Sequence, residues 1–202
     1  MTTRFYLVRH GQTLANTEDR LRGWVDVPLD ETGREQARKT GLALAGSGIE
    51  HVYASRLSRA MDTGRAVAEA AGCGITAHEG FVDFNFGAWG GLLRTEVKER
   101  WPELYATYDQ APGDFASPDG ESLRDLRARI AGGLDDVLSR HEGGCLAIAS
   151  HSVTCKILLL YLLGLGPEKY WNLAQENCCV NAFSHGPRGW VVERLNDVSH
   201  LR

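Results

Sequence analysis

Apolar positions along the chain follow two rhythms. Phe5-Tyr6-Leu7-Val8 is a continuous apolar run closed by Arg9, His10 and Gly11, the pattern of a buried strand that ends in a turn. His51-Val52-Tyr53-Ala54, closed by Ser55, repeats it, as does Cys145 to Ala149, which runs into Ser150-His151-Ser152. Ile75 to His78 predicts a further strand. Between these runs, apolar residues recur at helical spacing. Ala37, Gly41, Leu44 and Ala45 do so over Thr32 to Ala45, with Arg34, Glu35, Arg38 and Lys39 on the wet face and Gly46 and Gly48 as the stop. Met61, Val67, Ala68 and Ala71 mark a second helix from Ser58 to Gly72. Ser122, with Asp125 in the capping-box position, opens a long third helix along the stripe Leu123, Leu126, Ile130, Leu134 and Val137. Val153 to Leu163 predicts a helix, and a short one follows Pro167. Val180 to Ser184 and Trp190 to Leu195 predict a hairpin around Gly186-Pro187. The polar stretch Thr13 to Asp30 reads as a loop able to line a pocket. Phe81 to Gly91 has no clear period. Thr95 to Tyr108 reads as helix broken at Pro102, and Ala111 to Gly120, with two prolines, as loop.

Strands alternating with helices predict an α/β fold: a three-layer sandwich with a mostly parallel central sheet, flanked by helices and joined by right-handed crossovers. A length of 202 residues, with no internal repeat or linker, suits one domain over 1–202. Composition narrows the function. A net charge of −4 with no basic tract argues against a nucleic-acid partner. No apolar run reaches the roughly 18 residues of a membrane span; the longest, Ile157 to Leu165, is interrupted by Tyr161 and Gly164. Met1-Thr2-Thr3-Arg4 leads into the first strand without a signal-peptide pattern. The five cysteines include no C-x-x-C pair, so neither a zinc site nor a disulfide framework is expected, and the reading is of thiols in a reducing cytoplasm. The adjacent Cys178 and Cys179 are a weak redox candidate.

Candidate chemistry collects where strands end, the edge at which ligands bind open α/β sheets. His10 and His151 each follow a buried strand. A third strand ends at Ser55-Arg56-Leu57-Ser58-Arg59-Ala60, placing Arg59 in the first turn of a helix, whose free N–H groups and dipole attract anions. A neutral imidazole can attack phosphorus, and a guanidinium can hold a phosphoryl group with two hydrogen bonds. Two arginines, two histidines and a helix start on one edge would make a phosphate pocket on an otherwise acidic chain. His51, His78, His141, His185 and His200 have no such partners and read as surface or structural residues.

These stretches resemble the histidine phosphatase superfamily, the phosphoglycerate-mutase-like enzymes. Arg9-His10-Gly11-Gln12-Thr13 matches its defining motif. Asn16, Arg22-Gly23-Trp24 and the run from Pro28 to Ala37 match the segment that follows, and Ser55 to Thr63 the second motif. Phe86-Gly87-Ala88-Trp89, Gly120-Glu121-Ser122 and Ser150-His151-Ser152 match later ones, so the likeness spans about residues 4 to 195. The resemblance implies that His10 is a nucleophile forming a phosphohistidine, and that Arg9, Asn16, Arg59 and His151 hold the transferring phosphoryl group. It also sets Gln12, Thr13, Gly23, Trp24, Glu121 and Ser152 as candidates to line the substrate. No metal or cofactor is implied, because guanidinium and imidazolium groups supply the positive charge. The expected partner is a small phosphorylated metabolite, and association into a homodimer stays open.

The sequence departs from the family pattern twice. Asp83 stands where the family usually carries the glutamate that protonates the leaving oxygen, and Trp89-Gly90-Gly91 replaces Trp-Glu-Gly. Aspartate is shorter by one C–C bond, roughly 1.5 Å, so Glu79 and Glu121 are alternative acids. Three functions are compatible with the sequence: a phosphatase, a phosphoglycerate mutase and a non-catalytic phosphate binder. Only 28 residues, Leu92 to Asp119, separate the tryptophan motif from Gly120-Glu121-Ser122, a short segment for a lid, which favours hydrolysis. An intact His10 disfavours the binder.

Overall fold

The computed structural model describes residues Met1 to Arg202. Six strands form one sheet: β1 (Thr3–Arg9), β2 (His51–Ala54), β3 (Gly74–Ala77), β4 (Cys145–Ser150), β5 (Val180–Gly186) and β6 (Gly189–Asp197). Their order across the sheet is β3-β2-β4-β1-β5-β6. The first four run parallel, while β5 is antiparallel to β1 and β6 to β5. The sheet is therefore mixed, with its parallel part ending at the central strand β1.

Alternation along β1 divides the core. Phe5 and Leu7 face one layer, where they meet Leu126, Ile130 and Leu134 of the long helix α6 (Leu123–Arg140) and Ile157 and Leu158 of α7 (Ser152–Leu162). Val8, with Val52 and Ala147 of the neighbouring strands, faces the other layer, against Leu44 of α2 (Glu31–Leu44) and Val67 and Ala68 of α3 (Ser58–Ala71). A sheet covered on both faces needs strands that are apolar throughout, which is why β1, β2 and β4 read as continuous runs rather than alternating ones. Residues Val153 to Leu160 of α7 are all buried, as befits a helix that is apolar all round.

Two features differ from the sequence expectation. The segment after β1 begins with one helical turn, α1 (Leu14–Thr17), capped reciprocally by Thr13 and Asn16; four residues are too few to create a period. The Phe81–Gly91 region holds two single 3₁₀ turns, Glu79–Phe81 and Gly87–Trp89. The Thr95–Tyr108 region breaks at Pro102 as expected, into α4 (Arg94–Arg100) and α5 (Pro102–Gln110), with the proline at the first position of the second helix, where its missing N–H costs nothing.

Parallel register places the chemistry. Arg9 pairs with Ser150, and Ala54 with Ala149, so β1, β4 and β2 end at one level. His10, His151 and the start of α3 leave the sheet side by side.

Candidate active site

The turn after β1 is held tightly. The His10 N–H donates to the Ser150 carbonyl at 2.8 Å, extending the ladder one residue, and the Gly11 N–H donates to Thr63 Oγ1 at 3.1 Å. A side chain at Gly11 would meet the Gly33 carbonyl oxygen at 2.4 Å, and one at Gly33 would meet the Gln12 carbonyl oxygen at 2.0 Å. The two glycines let α2 press against the turn. His10 Nδ1 lies 2.6 Å from the Gly11 carbonyl. A carbonyl only accepts, so in the neutral ring Nδ1 carries the proton and Nε2 keeps its lone pair. Burial, then the charges of Arg59, Arg9 and Arg22, hold the His10 pKa well below the ordinary histidine value. The ring is thus neutral at pH 7, with its lone pair on Nε2.

A cavity of about 210 Å³ opens beside this ring. Arg9, His10, Asn16, Arg22, Gly23, Asp83 and Ser152 are in its walls. The His151 ring stands 5.2 Å from that of His10, centroid to centroid. Both nitrogens of His151, Nε of Arg9 and Nε of Arg59 are buried without a hydrogen-bond partner. Buried polar groups rarely go unpaired, since each costs about 1–3 kcal/mol. Four such nitrogens gathered with the His10 ring have a geometry that suits an anion. Arg59 is fully buried, and its two Nη atoms are held by the carbonyls of Val25 (3.0 Å) and Gly23 (2.8 Å) and by Asp83 Oδ2 (3.1 Å), which fixes the direction of Nε. Asn16 Oδ1 accepts from the Thr13 N–H and hydroxyl, both at 3.0 Å, so its amide NH₂ is the end left for a ligand. His151, like His10, has its pKa held well below normal by burial first and then by Arg59 and His10. The pocket therefore carries its positive charge on arginines.

Asp83 is buried against this cluster. Its Oδ1 accepts from the Phe84 N–H at 2.9 Å, and its Oδ2 is 3.6 Å from His151 Nδ1. Burial raises its pKa, against the opposing pull of Arg59 and Arg22. The other carboxylates stand elsewhere. Glu121 grips Arg129 through both oxygens (2.9 and 3.0 Å) and accepts from the Asn85 N–H, while Arg129 donates to the carbonyls of Val82 and Asp83. That pair supports the backbone under Asp83 from outside the cavity. Glu79 is exposed and pairs with Arg56.

Of the residues expected to line the substrate, Gly23 and Ser152 are in the cavity walls, whereas Gln12, Thr13, Trp24 and Glu121 are not; the fully buried Arg59 and His151 are not in the walls either. Gln12 turns away to Asp30 and Gln36, Thr13 is an internal link that accepts from Arg22 Nη1 at 2.6 Å, and the Trp24 indole donates to the Asp83 carbonyl at 2.8 Å. The cavity walls also include Arg94, Tyr108 and Tyr170, which sequence reasoning missed. The Tyr108 hydroxyl is buried with no hydrogen-bond partner. Arg22 was also missed as a site residue, although it lies in the quoted motif Arg22-Gly23-Trp24. Nothing in the local pattern around Arg94, Tyr108 or Tyr170 distinguishes them from ordinary helix and turn residues. No three His, Cys, Asp or Glu side chains are grouped as a metal site requires. All five cysteines are free; Cys178 and Cys179 are fully buried, and burial pushes their pKa values up to about 12 and about 11. Both are poor thiolates.

The fold and this edge define an α/β protein with a buried, unprotonated histidine facing an arginine-rich anion pocket. Its family model matches over residues 5–198, and the chain belongs to the histidine phosphatase superfamily (branch 1). It is 33% identical over 204 residues to a probable phosphoglycerate mutase GpmB of Enterobacter sp. (strain 638), covering 97% of this chain and 94% of that one. It is 29% identical over 195 residues to phosphoserine phosphatase 1 of Hydrogenobacter thermophilus, covering 96% and 92%. Among solved structures, Bacillus stearothermophilus YhfR superposes with a TM-score of 0.94 at 29% identity, over 99% of this chain and all of that one. No helix is long and apolar enough to cross a membrane.

Proposed function

We propose that the chain is a metal-independent phosphatase that hydrolyses a small phosphorylated metabolite through a phosphohistidine on His10. The observation that carries this reading is the ring of four unpartnered buried nitrogens, on Arg9, Arg59 and His151, around a histidine whose tautomer leaves Nε2 free. Phosphoryl transfer is mostly positioning plus neutralisation of the equatorial oxygens, and these groups suit both tasks. In the first step, His10 Nε2 forms the P–N bond as the P–O bond to the leaving group breaks opposite it. Asp83 supplies the proton that the departing oxygen needs. Its own loading follows from electrostatics: a phosphate dianion competes for Arg59 and repels the carboxylate, and both effects favour the protonated acid. In the second step, water attacks phosphorus, the P–N bond breaks, and Asp83 takes the water's proton. Arg22 joins Arg9, Asn16, Arg59 and His151 around the phosphoryl oxygens.

In the cavity wall, Arg94, whose Nε is held by Asp19, and the Tyr108 hydroxyl suit an oxyanion or hydroxyl on the leaving group. The relatives named a probable phosphoglycerate mutase and a phosphoserine phosphatase are compatible with such a substrate. Hydrolysis is preferred to mutase action because the segment Leu92–Asp119 is only 28 residues long, which leaves little chain beyond the wall that Arg94 and Tyr108 supply to exclude water. The test is turnover of an aryl phosphate by the purified chain in EDTA. Phenol and orthophosphate in equal amounts are expected. Phosphoryl transfer to an added phosphoglycerate without net hydrolysis would favour the mutase, and phosphate binding without turnover would favour the binder.

A further inference from the structure

We infer that Asn177, in the loop before β5, is a positioning residue for the phosphate site; the inference rests on the reading of Asn16 as a phosphate ligand. The Asn177 Nδ2 amide donates to the His10 carbonyl at 3.1 Å and points its other hydrogen at Asn16 Oδ1, 3.5 Å away. One NH₂ group therefore joins the backbone of the nucleophile to the side chain of a neighbouring ligand. The same loop clasps this turn with its backbone. The Cys178 N–H is shared between the carbonyls of Arg9 (3.1 Å) and His10 (3.3 Å), the Arg9 N–H donates to the Cys179 carbonyl, and Arg9 Nη1 donates to the Gln175 carbonyl.

The hydrogen-bond directions are what give Asn177 a role beyond packing. Arg22 donates to Thr13 Oγ1, Thr13 donates to Asn16 Oδ1, and Asn177 donates to the same oxygen from the other side. Every group that reaches Asn16 from within the protein is a donor, so Asn16 can present only its NH₂ to the cavity. Replacing the Asn177 donor by an acceptor would set two acceptors against each other and loosen the hold on the Asn16 amide, which the Thr13 N–H and hydroxyl would then keep alone. Asn177 has the right functional group for this task, and the nearly isosteric aspartate has the wrong one, because a carboxylate would face two acceptors, the His10 carbonyl and Asn16 Oδ1.

The test measures two quantities, the affinity for inorganic phosphate by calorimetry and kcat/KM on an aryl phosphate, for Asn177→Ala, Asn177→Asp, Asn16→Ala and the double variant Asn16→Ala/Asn177→Ala. One hydrogen bond of this kind is worth about 0.5–1.5 kcal/mol net, so Asn177→Ala is expected to weaken phosphate binding about 2- to 13-fold. In the Asn16→Ala background the same substitution should cost much less, because the group it orients is gone. Asn177→Asp should bind phosphate more weakly than Asn177→Ala, although it keeps the shape. An Asn177→Asp protein that binds phosphate as wild type does, or an Asn177→Ala loss of equal size in both backgrounds, would overturn the inference. If the alanine variant fails to fold, the near-isosteric aspartate carries the same comparison with Asn16→Ala. A wild-type chain that binds no phosphate would instead defeat the reading of the site itself.

Discussion

Asp83 stands where this chain departs from its family, and its surroundings decide what the departure means. A shorter side chain is tolerable if the backbone beneath it is brought forward, and the Glu121–Arg129 pair fastens that backbone through the carbonyls of Val82 and Asp83. If Asp83 delivers the proton, its loss should matter in proportion to how badly the leaving group needs one. General acid catalysis contributes about 10²–10⁴-fold. Asp83→Asn should lower kcat/KM by that order on an alkyl phosphate and by far less on a nitrophenyl phosphate. Equal losses on both substrates would remove Asp83 from the role. The candidate nucleophile and its arginines were legible in the sequence because each ends a strand or begins a helix with a motif around it. Arg94, Tyr108 and Tyr170 were not, since a pocket wall built from three distant elements leaves no local pattern. Gln12 illustrates the opposite case: it sits in a motif stretch, yet its side chain bonds to Asp30, while the Trp24 indole holds the backbone of the wall residue Asp83.

At the scale of elements, the site depends on how closely α2 meets the turn after β1. The contact was visible in the sequence only as two glycines in matching motifs, Gly11 and Gly33; that they face each other required the structure. Overpacking costs about 1–3 kcal/mol, and about 2–4 °C of melting temperature per kcal/mol is typical of this chain length. Gly33→Ala should therefore lower the melting temperature by about 2–12 °C and reduce turnover as well, because the displaced atoms adjoin His10 and Gly11. A variant with wild-type melting and activity would show the contact to be slack. Strands β1, β2 and β4 and helices α2, α3, α6 and α7 followed from apolar spacing, since each buries a whole face. The single turns around residues 79–91 did not, because their aromatic side chains reach the core from irregular backbone.

Over the whole molecule, the pocket stores electrostatic cost. His10 and His151 are buried and neutral, with pKa values below the ordinary value of 6.5. The sign of the linkage follows: below about pH 6.5 the unfolded chain takes up protons that the folded chain refuses, so stability falls as pH falls. Asp83, with a raised pKa, contributes in the opposite sense at lower pH. Between pH 7 and 5.5 the melting temperature of wild type should drop, and His10→Asn should drop less. Parallel curves would mean that His10 titrates normally in the folded protein.

The central claim, that phosphate passes through His10, is tested most directly by trapping it. Wild type mixed with a ³²P-labelled aryl phosphate and quenched within milliseconds should carry label on His10, stable in alkali and lost in acid, with phenol released in a burst that precedes orthophosphate. His10→Ala should carry none and turn over no substrate. Label on an aspartate, serine or cysteine, or full turnover by His10→Ala, would contradict the account.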